Sequence, residues 1–192
     1  MKSIYLLCLT YLLFLNSCNH TKKSDSYVLV VSFDGFRSEY LDWYPTPNMD
    51  QFAQKGVKSE GLIPVFVSKT FPNHYSIATG LYAENHGLIG NHFYDPKLDD
   101  HYTLSNRSKV EDPKFYEGEP IWVTAENQGI NTASYFWVGT EAPIKNTYPK
   151  KWKTYEHGFP FESRIDSVVS WLSLPEKKRP KLCMLYFHEP DA

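Results

Sequence analysis

Val28-Leu29-Val30-Val31-Ser32-Phe33 is a six-residue run with a single small polar interruption, closed at once by Asp34-Gly35. A strand that alternates apolar and polar residues covers one face of a sheet. A strand with almost no alternation needs apolar cover on both faces, which is the pattern of a parallel sheet sandwiched between helices. Leu182 to Phe187 reads the same way, so the chain carries two such buried strands near its two ends.

Helical and extended patterns alternate between them. Thr46-Pro47 opens a helix, with Thr46 as N-cap and Pro47 in the first position, and Gly56 closes it. A second extended stretch, Val57 to Val67, leads into Thr70, and Pro72 to Thr79 reads as a helix stopped by Gly80. The middle, roughly Leu88 to Gly118, is rich in Asp, Asn, Pro and Gly without a clear period and reads as loops over the sheet edge. Ile121 to Gln128 is helix-like, Ala133 to Trp137 reads as a strand, and Phe161, Ile165, Val168, Val169 and Leu172 fall at the spacing of an amphipathic helix. The alternation predicts an α/β fold with a largely parallel sheet flanked by helices. Because the sequence stops just after a strand, with no helix to cover it, the expectation is an incomplete domain, its amino-terminal part spanning residues 27–192.

The first residues belong to a different category. Lys2 precedes a mostly apolar run from Ile4 to Leu15, too short to span a bilayer and suited to the core of a signal peptide. It ends in Leu15-Asn16-Ser17-Cys18, which resembles a bacterial lipoprotein processing site. Residues 1–17 are therefore expected to be a signal peptide, Cys18 a lipidated residue and 18–26 a polar tether. The protein would then be exported and anchored in the periplasm or at the surface of a bacterium. The alternative is an ordinary secretory signal cleaved near the same place. Cys8 lies inside the signal and Cys183 inside an apolar stretch, which leaves no pair for a disulfide and no C-x-x-C metal knuckle.

A net charge of −2 without a basic run gives no support for a duplex nucleic-acid binder or a membrane-surface helix, so membrane contact is expected only through the lipid anchor, and no protein partner is inferred. Chemistry concentrates at three points, each at a strand's carboxyl end or a helix start, the edge where open α/β sheets bind ligands. Asp34 follows the first strand directly and reads equally as a metal ligand or as a turn residue before glycine. Thr70, before a proline-opened helix, reads either as a plain N-cap or as a nucleophile placed where backbone N–H groups and the helix dipole favour a phosphoryl group. Tyr186-Phe187-His188-Glu189-Pro190-Asp191 reads as a polar turn or as a second acidic ligand site, with Pro190 imposing an extended path.

Taken together these segments are more specific. Ser32-Phe33-Asp34-Gly35-Phe36-Arg37, Thr46-Pro47-Asn48-Met49-Asp50 and Lys69-Thr70-Phe71-Pro72-Asn73-His74-Tyr75-Ser76 resemble the nucleotide pyrophosphatase/phosphodiesterase family of the alkaline phosphatase superfamily. Gly90-Asn91, Tyr94-Asp95-Pro96, Phe136-Trp137 and Glu189-Pro190-Asp191 continue in the family's order, so the resemblance runs from about Tyr27 to the end.

The resemblance implies an alkaline-phosphatase-like fold and hydrolysis of phosphodiester or pyrophosphate bonds with two zinc ions (Zn2+). It implies Asp34 and Asp191 as ligands of different zincs, Thr70 as ligand and nucleophile, and a phosphothreonine intermediate. It further implies Asn91 as a phosphoryl contact, and Phe71 and Tyr186 as the aromatic pair that holds a nucleobase, with Lys69 and Trp137 near the same pocket. The substrate would be a small-molecule nucleotide or other phosphodiester. Three of these residues have a plainer alternative, Tyr186 and Phe71 as core residues and Asn91 as a turn residue. The family's remaining zinc ligands would follow Asp191, so the 192-residue chain alone is expected to bind zinc poorly and to be inactive. Two other readings stay open: another hydrolase of the superfamily, such as a phosphomonoesterase or phosphonate hydrolase, and a ligand-binding lipoprotein without chemistry.

Overall fold

The structure, a computed structural model, describes residues 26–191. Cys18, the signal segment and most of the tether lie outside the described residues.

Four parallel strands form the main sheet: β1 (Val28–Phe33), β4 (Thr132–Tyr135), β5 (Lys151–Lys153) and β6 (Leu182–Phe187), in the order β1-β6-β4-β5. β6 is buried along its whole length, as its apolar run requires. β1 differs from the expectation of a strand covered on both faces, since Val28 and Leu29 are about half exposed. An apolar run predicts a demand for cover without saying what supplies it; among the described residues β1 pairs only with β6, Val28 opposite Leu182 through Phe33 opposite Phe187.

Helices α1 (Tyr40–Trp43) and α2 (Pro47–Ala53) follow β1. Thr46 stands at the N-cap as predicted, but its hydroxyl bonds the Asp50 carboxylate and caps no backbone N–H. Residues 57–67 form no strand and are largely exposed. The next helix, α3 (Thr70–Thr79), begins two residues earlier than predicted. Lys69 is its N-cap and Thr70 its first helical residue, and Gly80 ends it in the left-handed conformation that glycine adopts without a Cβ penalty.

After α4 (Ala83–His86), the segment expected to be loops contains an antiparallel hairpin of β2 (His92–Asp95) and β3 (Asp100–Thr103), then α5 (Arg107–Val110). Its strands are four residues each and contain Asp and His, too short and polar for a period to show. Phe93 stacks on Tyr102 at 5.1 Å and packs edge-on against Phe115, so the hairpin is pinned by aromatic contact with the core. α6 (Ile121–Asn127) and α7 (Phe161–Leu172) match the predicted helices closely.

Arg164 of α7 is fully buried among Phe136, Phe161 and Phe187. Its guanidinium donates to the backbone carbonyls of His157, Phe159 and Tyr186, so a charge is carried inside by carbonyl dipoles and ring faces. One of those carbonyls belongs to β6 immediately before the chain turns into the acidic segment.

Candidate active site

Asp34 emerges from the carboxyl end of β1, with its backbone N–H bonded to the Phe187 carbonyl at 2.9 Å. Its Oδ1 accepts from the Gly35 N–H at 3.1 Å, while Oδ2 accepts two hydroxyls, Thr70 Oγ1 at 3.0 Å and Tyr186 at 2.7 Å. Three elements far apart in sequence therefore converge on one carboxylate. Burial is the largest cause that raises the Tyr186 phenol above its usual range, and the Asp34 hydrogen bond adds to it, so that hydroxyl stays a donor across ordinary pH.

Asp191 closes the cluster from β6. Its N–H bonds the His188 carbonyl at 3.2 Å, which makes a turn where the sequence predicts an extended path; the Glu189–Pro190 peptide is cis. Gly35 has a φ of +66°, and a Cβ there would lie 2.8 Å from the Asp191 Cα and 2.9 Å from its Cβ. The glycine is thus required twice, for its left-handed backbone and for the close approach of Asp191.

Two cavities open on this cluster, and Asp34, Thr70 and Asp191 line both. The larger, about 820 Å³, also takes in Lys69, Asn73, His74 and Asn91. The smaller, about 200 Å³, is walled by Phe71, Phe136, Trp137, Tyr155 and Tyr186 and reaches Arg107 and Glu141. Asn91 accepts the backbone N–H of Phe71 on its Oδ1 at 3.2 Å, so one of the helix-start donors expected to face an anion is already occupied. What Asn91 has left to offer a phosphoryl oxygen is its NH₂. Pro72 has no N–H, and the Asn73 N–H bonds the Lys69 carbonyl.

The predicted residues Asp34, Thr70, Asp191, Asn91, Phe71 and Tyr186 are thus together. Tyr186 is 7% exposed, with its ring edge-on to His74 at 5.1 Å and its hydroxyl held by Asp34, while Phe71 is half-buried. Sequence reasoning missed Tyr155, a half-buried wall of the small cavity that approaches along the chain from β5. It also missed the ion pair between Arg107 and Glu141, in which the carboxylate is 6% exposed. Nothing local marks a tyrosine in a loop, or an Arg and a Glu 34 residues apart, as partners.

The donor set suits a divalent cation in kind: two carboxylates and a hydroxyl, oxygen ligands all. In number it falls short. Among the described residues no group of three or more His, Cys, Asp or Glu side chains could hold a metal ion, so these residues do not complete two zinc sites by themselves.

Comparison with known proteins decides the kinship. Residues 28–192 match the model of type I phosphodiesterase / nucleotide pyrophosphatase. The chain belongs to that family. Among its phosphodiesterase relatives, ectonucleotide pyrophosphatase/phosphodiesterase family member 1 of Homo sapiens is 44% identical over 166 residues, covering 85% of this chain and 18% of the relative. Venom phosphodiesterase of Naja atra is 44% identical over 167 residues, covering 86% and 20%. In structure, murine ectonucleotide pyrophosphatase/phosphodiesterase 5, an inactive threonine-to-alanine form in complex with AMP, gives a TM-score of 0.82 at 37% identity, covering 87% of this chain and 44% of that one. The chain spans about a fifth of the length of these curated relatives.

The same comparison corrects the expected location. These phosphodiesterase relatives are animal proteins, named as ecto-enzymes or venom enzymes, and nothing among them indicates a bacterial lipoprotein. The resemblance of Leu15-Asn16-Ser17-Cys18, which lies outside the described residues, to a bacterial processing site misled. Among the described residues no helix is long and apolar enough to cross a membrane.

Proposed function

We propose that the protein carrying this chain hydrolyses phosphodiester or pyrophosphate bonds of nucleotides, with Thr70 as nucleophile. The observation that carries the reading is the Thr70 Oγ1 to Asp34 Oδ2 contact of 3.0 Å, at the junction of a polar cavity and an aromatic-walled one. The junction suits a substrate with an anionic phosphoryl group on one side and a flat base on the other. The structural relative that holds AMP supports a nucleotide as that substrate.

In this reading Thr70 Oγ gives up the hydrogen it aims at Asp34 and forms a bond to phosphorus as the bond from phosphorus to the leaving oxygen breaks, and the leaving oxygen takes a proton from water. Water then hydrolyses the phosphothreonine ester, which still carries the nucleoside, breaking its bond to Thr70 Oγ and restoring the hydroxyl. Tyr186 keeps Asp34 oriented, Asn91 donates its NH₂ to a phosphoryl oxygen, and Phe71 and Tyr186, with Tyr155, form the aromatic walls for the base. Asp34, Thr70 and Asp191 contribute to the holding of two zinc ions. Bound zinc would activate a hydroxyl and polarise phosphoryl oxygens. Residues 27–192 are on this reading the amino-terminal part of the catalytic domain, and as an isolated segment they bind zinc poorly and turn over little.

The test is turnover of the nitrophenyl diester of thymidine 5′-phosphate, against nitrophenyl phosphate, by the full-length protein with zinc. Diester turnover that Thr70→Ala reduces at least about a thousandfold is the expected result. Preference for the monoester would instead mark a phosphomonoesterase, and full activity in Thr70→Ala would remove Thr70 from the chemistry.

A further inference from the structure

One imidazole fastens the start of α3 to β1. His74 is 3% exposed, with Nδ1 2.7 Å from the Thr70 carbonyl oxygen and Nε2 2.7 Å from Ser32 Oγ. A carbonyl only accepts, so Nδ1 carries the hydrogen; in the neutral ring Nε2 must then accept from the Ser32 hydroxyl. Ser32 lies on β1 two residues before Asp34. A single side chain therefore links the residue that supplies the hydroxyl to the strand that supplies the carboxylate.

The ring has little freedom to move. It stands edge-on to Tyr186 at 5.1 Å and 87°, and to Trp137 at 5.4 Å and 73°. The Trp137 indole N–H donates to His74's own carbonyl at 3.2 Å, and Tyr186 holds the Asp34 oxygen that Thr70 faces. A histidine that merely filled space here would need packing partners only. This one sends both polar atoms to the two elements that bear the reacting groups.

We propose that His74 is a positioning residue, which sets where Thr70 Oγ stands relative to Asp34 by tying the first turn of α3 to β1 through Ser32. The proposal rests on the phosphodiesterase reading above. Its magnitude follows from the sensitivity of attack geometry: a misplacement of about 1 Å costs on the order of a hundredfold in rate.

The test compares His74→Phe, His74→Asn and Ser32→Ala in the full-length protein. Phenylalanine keeps a ring and loses both bonds, asparagine keeps a donor near the Nδ1 position, and Ser32→Ala removes the strand end of the link. Expected for His74→Phe is a cooperative melt with kcat down about 10- to 100-fold and KM within about threefold. His74→Asn should recover part of that loss, and Ser32→Ala should cost less and add little on top of His74→Phe. If His74→Phe does not fold, Ser32→Ala and His74→Asn carry the same comparison. Folded variants with kcat within about twofold of wild type overturn the proposal, as does equal loss in all three that only follows melting temperature. Should the wild type cleave no diester, the functional reading falls. Structures of the variants then decide the positioning role: a Thr70 hydroxyl moved away from Asp34 supports it, and an unmoved one overturns it.

Discussion

Tyr186 donates its phenolic hydrogen to Asp34 Oδ2 at 2.7 Å across the β1–β6 pair, where Ser32 lies directly opposite Tyr186. The residue read as half of a base-holding pair thus also serves as a support for the carboxylate. Tyr186→Phe should preserve the fold, lower stability by about 1.5–3 kcal/mol through the lost bond to the Asp34 side chain, and reduce kcat more than KM. Urea unfolding and diester kinetics measure both; a variant with native stability and kinetics would mean that the contact carries nothing.

Gly35→Ala tests the junction from the other side. The new methyl would fall 2.8 Å from the Asp191 Cα, and the φ of +66° is unfavourable for alanine. Loss of about 2–4 kcal/mol is expected from strain and overlap together. Gly80→Ala is the control, since Gly80 has a similar φ of +70° but nothing near its Cβ position. The difference between the two melts isolates the Asp191 clash, and equal melts would show that Asp191 simply yields.

Burial pulls the imidazoles of His74 and His86 below the usual histidine range. A depressed folded value means that the unfolded chain takes up protons first as pH falls. Stability from both groups is therefore fully present above the unfolded value of about 6.5, and is lost as pH drops from there toward the folded values. Melting temperature should fall between pH 7.5 and 5.5, and His86→Gln should flatten that fall while lowering stability at neutral pH. His86 is fully buried between Ser76 Oγ, 2.8 Å from Nε2, and the Leu88 N–H, 3.2 Å from Nδ1. A pH profile unchanged in His86→Gln would show that this ring does not titrate in the window.

Arg107→Met would leave the Glu141 carboxylate nearly buried without its cation. Because the arginine side chain is itself 41% exposed, the cost is discounted to about 1–3 kcal/mol. Adding Glu141→Leu should restore most of it, since the orphaned charge goes with it. A double variant no better than the single would assign the loss to packing of the arginine stem.

Cys183 is 1% exposed on β6, and burial pushes its thiol up to about 11. In the native protein it should resist iodoacetamide at pH 8 and react once urea unfolds the chain. Peptide mapping reads this directly, and rapid native labelling would place β6 closer to solvent than described.

Legibility from sequence followed length and period. The runs 28–33 and 182–187 are strands, and Phe161, Val168 and Leu172 share a helix, because six to twelve residues of one period outweigh local accidents. The β2–β3 hairpin and the three-residue β5 stayed hidden, since strands so short owe their existence to neighbours, Phe115 for the hairpin and β4 for β5. The site divided along the same line. Asp34 directly follows β1, Thr70 begins α3 and Asp191 lies in the turn after β6, and each could be named from position and motif. Tyr155, the Arg107–Glu141 pair and the His74 link depend on contacts 34 residues or more away, or on a loop's path, and tertiary structure alone supplies them.

β1 has one further property. Among the described residues its backbone bonds β6 on one flank, while Val28, Leu29, Val31 and Phe33 remain substantially solvent-facing. In this segment taken alone, a parallel strand so bare is a template for any extended peptide of similar composition, including the same strand of another molecule. Purified as residues 26–191, the polypeptide should therefore self-associate with rising concentration, and a lysine in place of Val31 should keep it dispersed.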